Sequence, residues 1–240
     1  MTRDLQEIWV YLSASPLLGL TVTLVAYQAG YWLYRKSGYN PLVNPVLIAV
    51  VALVALLKLS DIDYLTYFEG AQFVHFLLGP ATVALAIPLF QQLQQLRKSL
   101  LAILVSVVAG SLTAAVSAVG IGWVLGASRE TLLSLAPKSV TTPIAMGIAE
   151  KIGGLPSLTA VLVILTGMTG AMLATYTLNL LKIKDWRARG LAIGVASHGI
   201  GTARAILVHP LAGAFAGLAM GLNGIATSLL LPLLATWFAG

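Results

Sequence analysis

The stretch PKSVTTPIAMGIAEKIGGLP, residues 137–156, combines three prolines and a pair of glycines with hydroxyl side chains and an apolar middle. Proline and glycine interrupt helices and leave backbone polar groups without partners. In a membrane such backbone is tolerated only where it packs in protein or lines a wet cavity. The stretch therefore predicts a re-entrant or broken helix. The alternative interpretation is an external amphipathic loop.

The composition around this stretch is that of a membrane protein. Of the 240 residues, 58% are hydrophobic and only 9% are charged, against about 25% charged in an ordinary soluble domain. So few charges cannot cover a soluble surface, which excludes a soluble globular enzyme, and the high hydrophobicity excludes intrinsic disorder. The chain has no cysteine, so disulfides and cysteine-bound metals are excluded as well.

The spacing of the charges indicates how many helices cross the membrane. A spanning helix needs about 20 mostly apolar residues, and six windows without a charged residue reach that length. They are 8–34, 37–57, 70–96, 99–128, 152–181 and 205–240. A seventh stretch, 190–203, continues into the last window with only Arg204 between them. We predict an all-α polytopic membrane protein with about seven hydrophobic elements, forming a single integral membrane domain over residues 1–240.

Basic residues set the expected orientation. Arg35-Lys36, Arg97-Lys98 and the basic cluster at 182–189 predict cytoplasmic loops, whereas the acidic loop at 61–69 predicts an outer one. The first four spans are then expected at about 14–34, 43–59, 72–94 and 100–126. The fourth span ends outside and the element at 157–181 begins outside, so the stretch quoted first must return to its starting side. The N-terminus is predicted outside and the C-terminus in the cytoplasm.

Two further segments have the same broken character, at 79–82 and 196–204. The predicted helix-breaking residues are Gly79, Pro80, Thr82, Pro137 and Pro143. An ungapped comparison of 80–114 with 137–171 gives sparse matches, for which coincidence in an apolar chain is the alternative explanation. Corresponding Gly/Pro-interrupted segments point to a transporter site built from repeats. The hypothesis is an inverted internal repeat, with halves at about 40–127 and 132–238, and an elevator-like carrier architecture.

Arg204 is the most informative single residue of the sequence. In a regular helix it would lie about 20 Å beyond the basic loop, where a cation is costly and is a functional candidate by default. We predict that it captures a substrate carboxylate. The alternatives are structural pairing with carbonyl groups, or a long side chain that extends outward to the interface.

Lys138 is the second candidate cation. Ser139, Thr141 and Thr142 surround it, and hydroxyl donors at a helix N-terminus beside a cation form an anion site. The alternative is a lysine at headgroup level beside an N-cap serine.

Two polar side chains complete the candidate site. His198 could relay protons near neutral pH, although a lone buried histidine is more often a structural hydrogen-bonding residue. Asn223 could coordinate a cation or bind a substrate, and the alternative is a polar contact between helices. No metal site is expected, because His75, His198 and His209 lack metal-ligand spacing.

The remaining patterns predict packing rather than chemistry. The small-residue face at 166–171 is expected to allow close helix packing, and Trp186 is expected to anchor the chain at the membrane interface. No nucleotide-binding or hydrolase motif occurs, so the protein is not expected to be an enzyme. The basic residues lie in short loops between spans, so no nucleic-acid partner is expected.

Five strings in the sequence resemble the LrgB/CidB family of bacterial membrane proteins. They are GPATVALAIPL (79–89), APKSVTTPIA (136–145), GLPSLTAVLVILTGMTGA (154–171), ASHGIGTARA (196–205) and LAMGLNGIAT (218–227). The resemblance covers roughly residues 15–238, and the second and fourth strings are long and specific. By motif match it assigns a binding role to the following residues: Pro137, Lys138, Ser139, Thr141, Thr142, Ser197, His198, Gly199, Gly201, Thr202 and Arg204.

The resemblance implies a multi-pass protein of the bacterial inner membrane that acts with a small holin-like partner of the LrgA/CidA type. The family is described as controlling murein hydrolase activity and cell lysis. Relatives have also been assigned transport, of glycolate and glycerate in a plant chloroplast member and of pyruvate in bacterial systems. The plant form carries a partner-like domain that this chain lacks, so a separate partner is implied.

Two functions follow as hypotheses. The first is a secondary carrier for small monocarboxylates of the pyruvate, glycolate or glycerate type, working by alternating access and coupled to H⁺ or Na⁺, without a bound cofactor. The second is an antiholin-like or holin-like regulator of murein hydrolase activity and lysis. Broken segments with a buried arginine favour the carrier, because a holin has no need for them. A homo-oligomer, specifically a dimer, is expected in either case.

Overall fold

The structure, a computed structural model, describes residues 16–77, 80, 83–84 and 86–238. These residues are helical with no strand among them, which confirms the all-α fold. The chain divides into two compact units, one up to residue 84 and one from residue 85.

Three helices of the first unit lie within the described residues. They are α1 (Pro16–Lys36), α2 (Pro45–Ser60) and α3 (Tyr64–Phe76). Asn44 begins α2 by accepting hydrogen bonds from the backbone N–H groups of Val46 and Leu47. The Thr23 hydroxyl of α1 bonds the Tyr67 hydroxyl of α3 at 2.7 Å. Helices α1 and α2 lie where the first two spans were predicted, but neither belongs to the described helices that are long and apolar enough to cross a membrane.

The second unit contains the broken segments. Its helices are α4 (Ala86–Gln91), α5 (Leu93–Lys98), α6 (Leu100–Val124), α7 (Arg129–Leu135), α8 (Thr142–Ile152), α9 (Pro156–Leu180), α10 (Trp186–Val208) and α11 (Pro210–Phe238). Asp185 accepts a hydrogen bond from the Arg187 backbone at the start of α10. The Arg187 side chain holds the pKa of Asp185 at about 2 by hydrogen bonding.

Four helices of the described residues are long and apolar enough to cross a membrane. They are α6, α9, α10 and α11, and α2 is a shorter apolar helix. The span predicted over 72–94 includes residues outside the described ones; within the described part of the chain α3 ends at Phe76, and short helices begin at Ala86 and Leu93. Prolines at 80 and 88 remove backbone donors from that stretch. Gly79 and Thr82 lie outside the described residues, whereas Pro80 is helical.

Helices α7 and α8 form the first hairpin. Its base lies at face A, the end of the unit where α6 ends and α9 begins. Gly122, near the end of α6, faces Leu132 and Leu135 of α7. Beyond the turn, α8 returns until Gly154 lies against the backbone of Ser134, whose hydroxyl accepts a hydrogen bond from the Leu155 N–H at 2.8 Å. The chain therefore folds back between α7 and α8, and residues 137–156 form the tip and the returning arm. The re-entrant position of this hairpin in the membrane stays a prediction.

Helix α10 is the second hairpin. His198 interrupts it with φ 39° and ψ −134°, and the two arms, 186–197 and 199–208, fold against each other. Gly201 of the second arm packs on Ile193 of the first. The Trp186 ring stacks on the His209 ring with centroids 4.7 Å apart, whereas a straight helix would separate these residues by about 34 Å. We call the end of the unit where α9 ends face B. The first arm of α10 begins at face B, and the second arm ends there.

The two hairpins enter the second unit from opposite faces. Each is followed by one crossing helix: α9 leads from face A to face B, and α11 leads back. Gly190 and Gly194 of α10 approach the backbone of Ala212 and Ala216 closely, so the first arm and α11 run in the same direction. The hairpin tips consequently meet midway between the faces. The repeat halves at 40–127 and 132–238 and the elevator motion stay predictions.

Candidate functional site

The tip of the first hairpin is the turn at 136–141. Pro137 and Val140 are fully buried in it, and Ser139 is buried as well. The turn is closed by backbone hydrogen bonds from Lys138 to Leu135 and from Val140 to Pro137. The ammonium group of Lys138 donates to the Ser139 hydroxyl at 3.2 Å. Packing of this turn thus keeps the lysine at the hairpin tip.

The tip of the second hairpin is His198. Its positive φ is unusual for a residue with a side chain and costs on the order of 1–3 kcal/mol unless the surroundings impose it. The ring Nε2 lies 2.9 Å from the carbonyl oxygen of Val163 in α9, and the Thr202 hydroxyl donates to the His198 carbonyl at 2.7 Å. These two contacts fix the reversal, which supports the structural interpretation of the histidine.

Two glycines of α9 make room for this tip. A Cβ on Gly167 would come within 2.6 Å of the His198 ring, and one on Gly170 would overlap the Ser197 hydroxyl. The small-residue face predicted at 166–171 therefore does allow close packing. What it admits is the tip of a hairpin rather than the side of a straight helix.

Asn223, near the middle of α11, joins the two tips. Its Nδ2 donates to the Ser139 carbonyl at 3.2 Å and to the Val195 carbonyl at 3.1 Å. The second acceptor lies in the last turn before the break, where a helix leaves carbonyl groups without partners. The polar contact between helices that the sequence allowed is thus present, and it links both hairpins to one crossing helix.

The other half of the Asn223 amide has no partner among the residues that the structure describes. Both neighbours are carbonyl oxygens, so Nδ2 must face them and Oδ1 must point away. Within the described residues Oδ1 is buried without a hydrogen-bond partner, and Asn223 is 1% exposed. A buried unsatisfied acceptor costs about 1–3 kcal/mol, which makes this atom a candidate for receiving a hydrogen bond from a ligand.

The electrostatics of this junction favour an anion over a cation. Lys138 is close enough to His198 to interact with it electrostatically. Helix α8 begins directly after the turn, and its N-cap residue Thr141 makes no side-chain cap hydrogen bond. The N-terminal end of α8 therefore presents uncapped N–H groups and a partial positive charge beside the lysine. A ligand with a negative group and a hydrogen-bond donor matches this arrangement.

Most of the predicted site residues do come together. Those at or beside the junction are Lys138, Ser139, Thr141, Thr142, Ser197, His198, Gly199, Gly201, Thr202 and Asn223. Pro137 lies in the first turn, and Pro143 lies in the first turn of α8, where its missing N–H is harmless. No group of three His, Asp or Glu side chains suited to a metal occurs in the described residues.

Arg204 is not where the sequence placed it. The depth of about 20 Å assumed a regular helix, and α10 instead reverses at His198. Arg204 lies on the returning arm and lines a cavity with Arg189 and Trp186, which are in the first turn of α10. Its substrate role stays a prediction, but its distance from the membrane surface was wrong because the reversal carries it back toward face B.

Sequence reasoning missed two parts of the geometry. The Val163 carbonyl that holds His198 leaves no signal in a sequence, because any residue supplies a carbonyl. The neighbourhood of Arg189 was missed for another reason: Arg189 was counted as one of several loop charges, although it is buried and donates to Asn179 and to the Ile183 carbonyl. Only the fold-back of α10 brings it near Arg204.

Comparison with known proteins assigns the chain to a family. The LrgB-like family matches it over residues 23–237. The chain belongs to the LrgB family. The antiholin-like protein LrgB of Bacillus mycoides is 32% identical over 219 residues, which cover 91% of this chain and 95% of the relative. The holin-like protein CidB of Staphylococcus epidermidis is 32% identical over 228 residues, which cover 95% of this chain and 98% of the relative.

A third relative is the uncharacterised protein YxaC of Bacillus subtilis, which is 35% identical over 219 residues. These cover 91% of this chain and 95% of the relative. No solved structure matches this LrgB-family chain. The resemblance seen in the five strings is therefore confirmed. Together with the four long apolar helices, the family relationship makes the chain a membrane protein.

Proposed function

We propose that this LrgB-family protein is a secondary carrier, not an enzyme, that moves small monocarboxylates of the pyruvate, glycolate or glycerate type. The observation that supports it best is the meeting of two opposed helical hairpins at a buried polar junction. Irregular backbone at membrane depth is tolerated where it lines a substrate path, and broken helices at the midplane are typical of transporters.

The carboxylate would bind at the tip of the first hairpin. Lys138 supplies a positive charge, and the uncapped N-terminus of α8 supplies backbone donors. The unpartnered Oδ1 of Asn223 would accept a hydrogen bond from a substrate hydroxyl or from a water bound with the substrate. An anion-binding end and an acceptor at one place suit a small hydroxylated acid better than an inorganic cation.

Alternating access follows from the two entry directions of the hairpins. The first hairpin closes the junction toward face A and the second closes it toward face B. Movement of either tip away from Asn223 would break one of two hydrogen bonds and open one side only. We assign face B to the cytoplasm, because it carries Lys182, Lys184 and Arg187.

The wider setting belongs to the same proposal. The protein would lie in the bacterial inner membrane as a homodimer, with its N-terminus outside. Because α11 leads from the cytoplasmic face B to face A, its C-terminal end would also lie outside in this arrangement. It would act with a small LrgA/CidA-type membrane protein, and H⁺ or Na⁺ would drive transport. The names of the relatives support the membrane partner.

The test is uptake by the purified protein in vesicles. Labelled pyruvate and glycolate uptake is measured under imposed proton and sodium gradients, with empty vesicles as the control. We expect saturable uptake that one of the two gradients accelerates and that unlabelled small carboxylates compete. Uptake no faster than in empty vesicles, under both gradients, would rule out the carrier.

A second candidate function is that of a holin-like or antiholin-like regulator of murein hydrolase activity and lysis. The printed names of two relatives, holin-like CidB and antiholin-like LrgB, favour it. This function predicts leakage rather than saturable transport. In the same vesicles, release of an unrelated trapped dye would support a pore, whereas dye retention during carboxylate uptake would support the carrier.

A further inference from the structure

His209 joins the second hairpin to the crossing helix α11. The residue lies between the end of α10 and Pro210, with an extended backbone at φ −160° and ψ 132°. Its N–H donates to the Ala205 carbonyl at 3.0 Å, and its own carbonyl accepts from the Gly213 N–H at 2.9 Å. His209 therefore ends one helix and is the N-cap residue of the next.

The imidazole ring of His209 also supplies the side-chain cap of α11. Pro210 has no N–H, so the first backbone donor of the helix is the N–H of Leu211, which donates to His209 Nδ1 at 3.1 Å. A ring nitrogen that accepts a hydrogen bond carries no proton, so the proton of the neutral ring lies on Nε2. In an imidazolium both ring nitrogens are donors. This cap therefore exists only while the ring is neutral.

The same ring connects the start of α10 to the start of α11. It stacks on the Trp186 ring, with 6° between the two planes. Trp186 lies in the first turn of α10, and Gly190, one turn later, lies against the backbone of Ala212. The cap thus acts at the base of the second hairpin, at face B. His209 is only partly buried, so protons can reach it from that face.

The charged groups described around this ring are mainly cationic. The Arg189 guanidinium lies 5.1 Å from the centre of the stacked indole, and Arg204 of the returning arm lines a cavity with the same indole. The loop 181–185 adds two lysines after α9. Its acid, Asp185, is exposed and is paired with Arg187. The N-terminus of α11 contributes a further partial positive charge. An imidazolium here would therefore lose its hydrogen bond and also meet like charge.

We propose that His209 is a proton-sensitive cap, whose neutral ring holds the start of α11 at the base of the second hairpin and whose protonation releases it. Histidine side chains change charge between about pH 5 and 8. The cap is present at the upper end of this range and is lost as the pH falls, which leaves the Leu211 N–H without its acceptor. Acid at face B therefore loosens the base of the second hairpin. That this hairpin closes a substrate path rests on the proposed carrier, whereas the cap does not.

Amide hydrogen exchange at the start of α11 tests the cap in the full-length protein, held in lipid discs. The wild type is compared with His209→Asn, which supplies a cap that does not titrate, and with His209→Ala, which supplies none. All three proteins are measured at about pH 8 and at about pH 5. Only rates at the same pH are compared, so the pH dependence of the exchange chemistry cancels.

The wild type is expected to change its behaviour between the two pH values. At the higher pH its Leu211 amide should exchange as slowly as in the asparagine variant. At the lower pH it should exchange as fast as in the alanine variant. That rate is about fivefold faster than with asparagine, the factor that corresponds to a typical N-cap contribution of about 1 kcal/mol. Helix α8 of the other hairpin is the internal control, and its exchange should be equal in the three proteins at each pH.

Two results would overturn the proposal. Wild-type exchange that follows the asparagine variant at both pH values would show that protonation does not release the cap. Exchange that follows the alanine variant at both would show that the ring does not cap α11. Because exchange does not depend on transport, absence of carboxylate uptake with the expected exchange pattern would remove the carrier and leave the cap standing.

Discussion

Uptake of small carboxylates is expected to fall by about ten- to a hundredfold when Lys138 is replaced by glutamine, since a hydrogen bond to a charged group contributes about 1.5–3 kcal/mol. Lys138 is the cation at the tip of the first hairpin, held beside Ser139. Glutamine keeps a hydrogen-bonding side chain of similar length but removes the charge. Initial uptake rates in vesicles, measured over a range of substrate concentrations, give the loss.

Lys151→Gln is the matched control for this variant. Lys151 lies in the last turn of α8, on the same hairpin but at its exposed base, so uptake should be unchanged. Wild-type uptake by a correctly inserted Lys138→Gln protein would remove the lysine from the mechanism. Equal losses in both variants would indicate a general effect of basic residues rather than a binding site.

The second large effect is expected at Asn223. Leucine at this position would leave the carbonyl groups of Ser139 and Val195 without their side-chain donor. Each buried carbonyl that lacks a partner costs about 1–3 kcal/mol, and removal of the unsatisfied Oδ1 offsets one of the two, so the free energy of unfolding should fall by about 1–3 kcal/mol. We expect a lower thermal unfolding temperature in detergent and loss of uptake, because neither tip is then tied to α11.

Met220→Leu is the control for Asn223→Leu. Met220 lies about one turn earlier in α11 and is partly buried, and a volume-conserving exchange there should cost less than about 1.5 kcal/mol. An Asn223→Leu protein that unfolds at the wild-type temperature would show that the amide does not hold the tips together. Normal stability combined with lost uptake would assign Asn223 to substrate alone.

Helix content and the position of the broken segments could be predicted from composition and from proline and glycine. Low charge requires a membrane-embedded helical protein, and residues 137–156 contain more helix-breaking residues than one span tolerates. The positions of the charges also marked the loop that follows α9, whereas the side of the membrane on which it lies stays a prediction. These inferences depend on local sequence, and for that reason they agree with the helices of the second unit.

The reversal at His198 could not be predicted in the same way. Gly199 and Gly201 mark an irregular segment, but a kink and a full reversal have the same local composition. What decides between them is the contact with Val163 and the room left by Gly167 and Gly170, which are distant in sequence. The depth assigned to Arg204 failed for this reason.

The role of Asn223 was only half accessible from the sequence. An amide in an apolar helix predicts a polar contact, and the structure contains one. The two acceptors of the Asn223 amide are backbone carbonyl groups, which carry no sequence signature. The buried Oδ1 without a hydrogen-bond partner among the described residues could therefore not be predicted. Arg204 lies apart from the residues that surround the junction because of the three-dimensional path of α10.

The reversal of α10 is what brings a second hairpin to the junction. The chain has no native cysteine, so cysteines introduced at Trp186 and His209 can be spin-labelled without background. We predict a short distance between the labels in membranes, since these two side chains are stacked. A distance near that of a continuous helix, about 34 Å, would contradict the reversal and with it the meeting of the two tips.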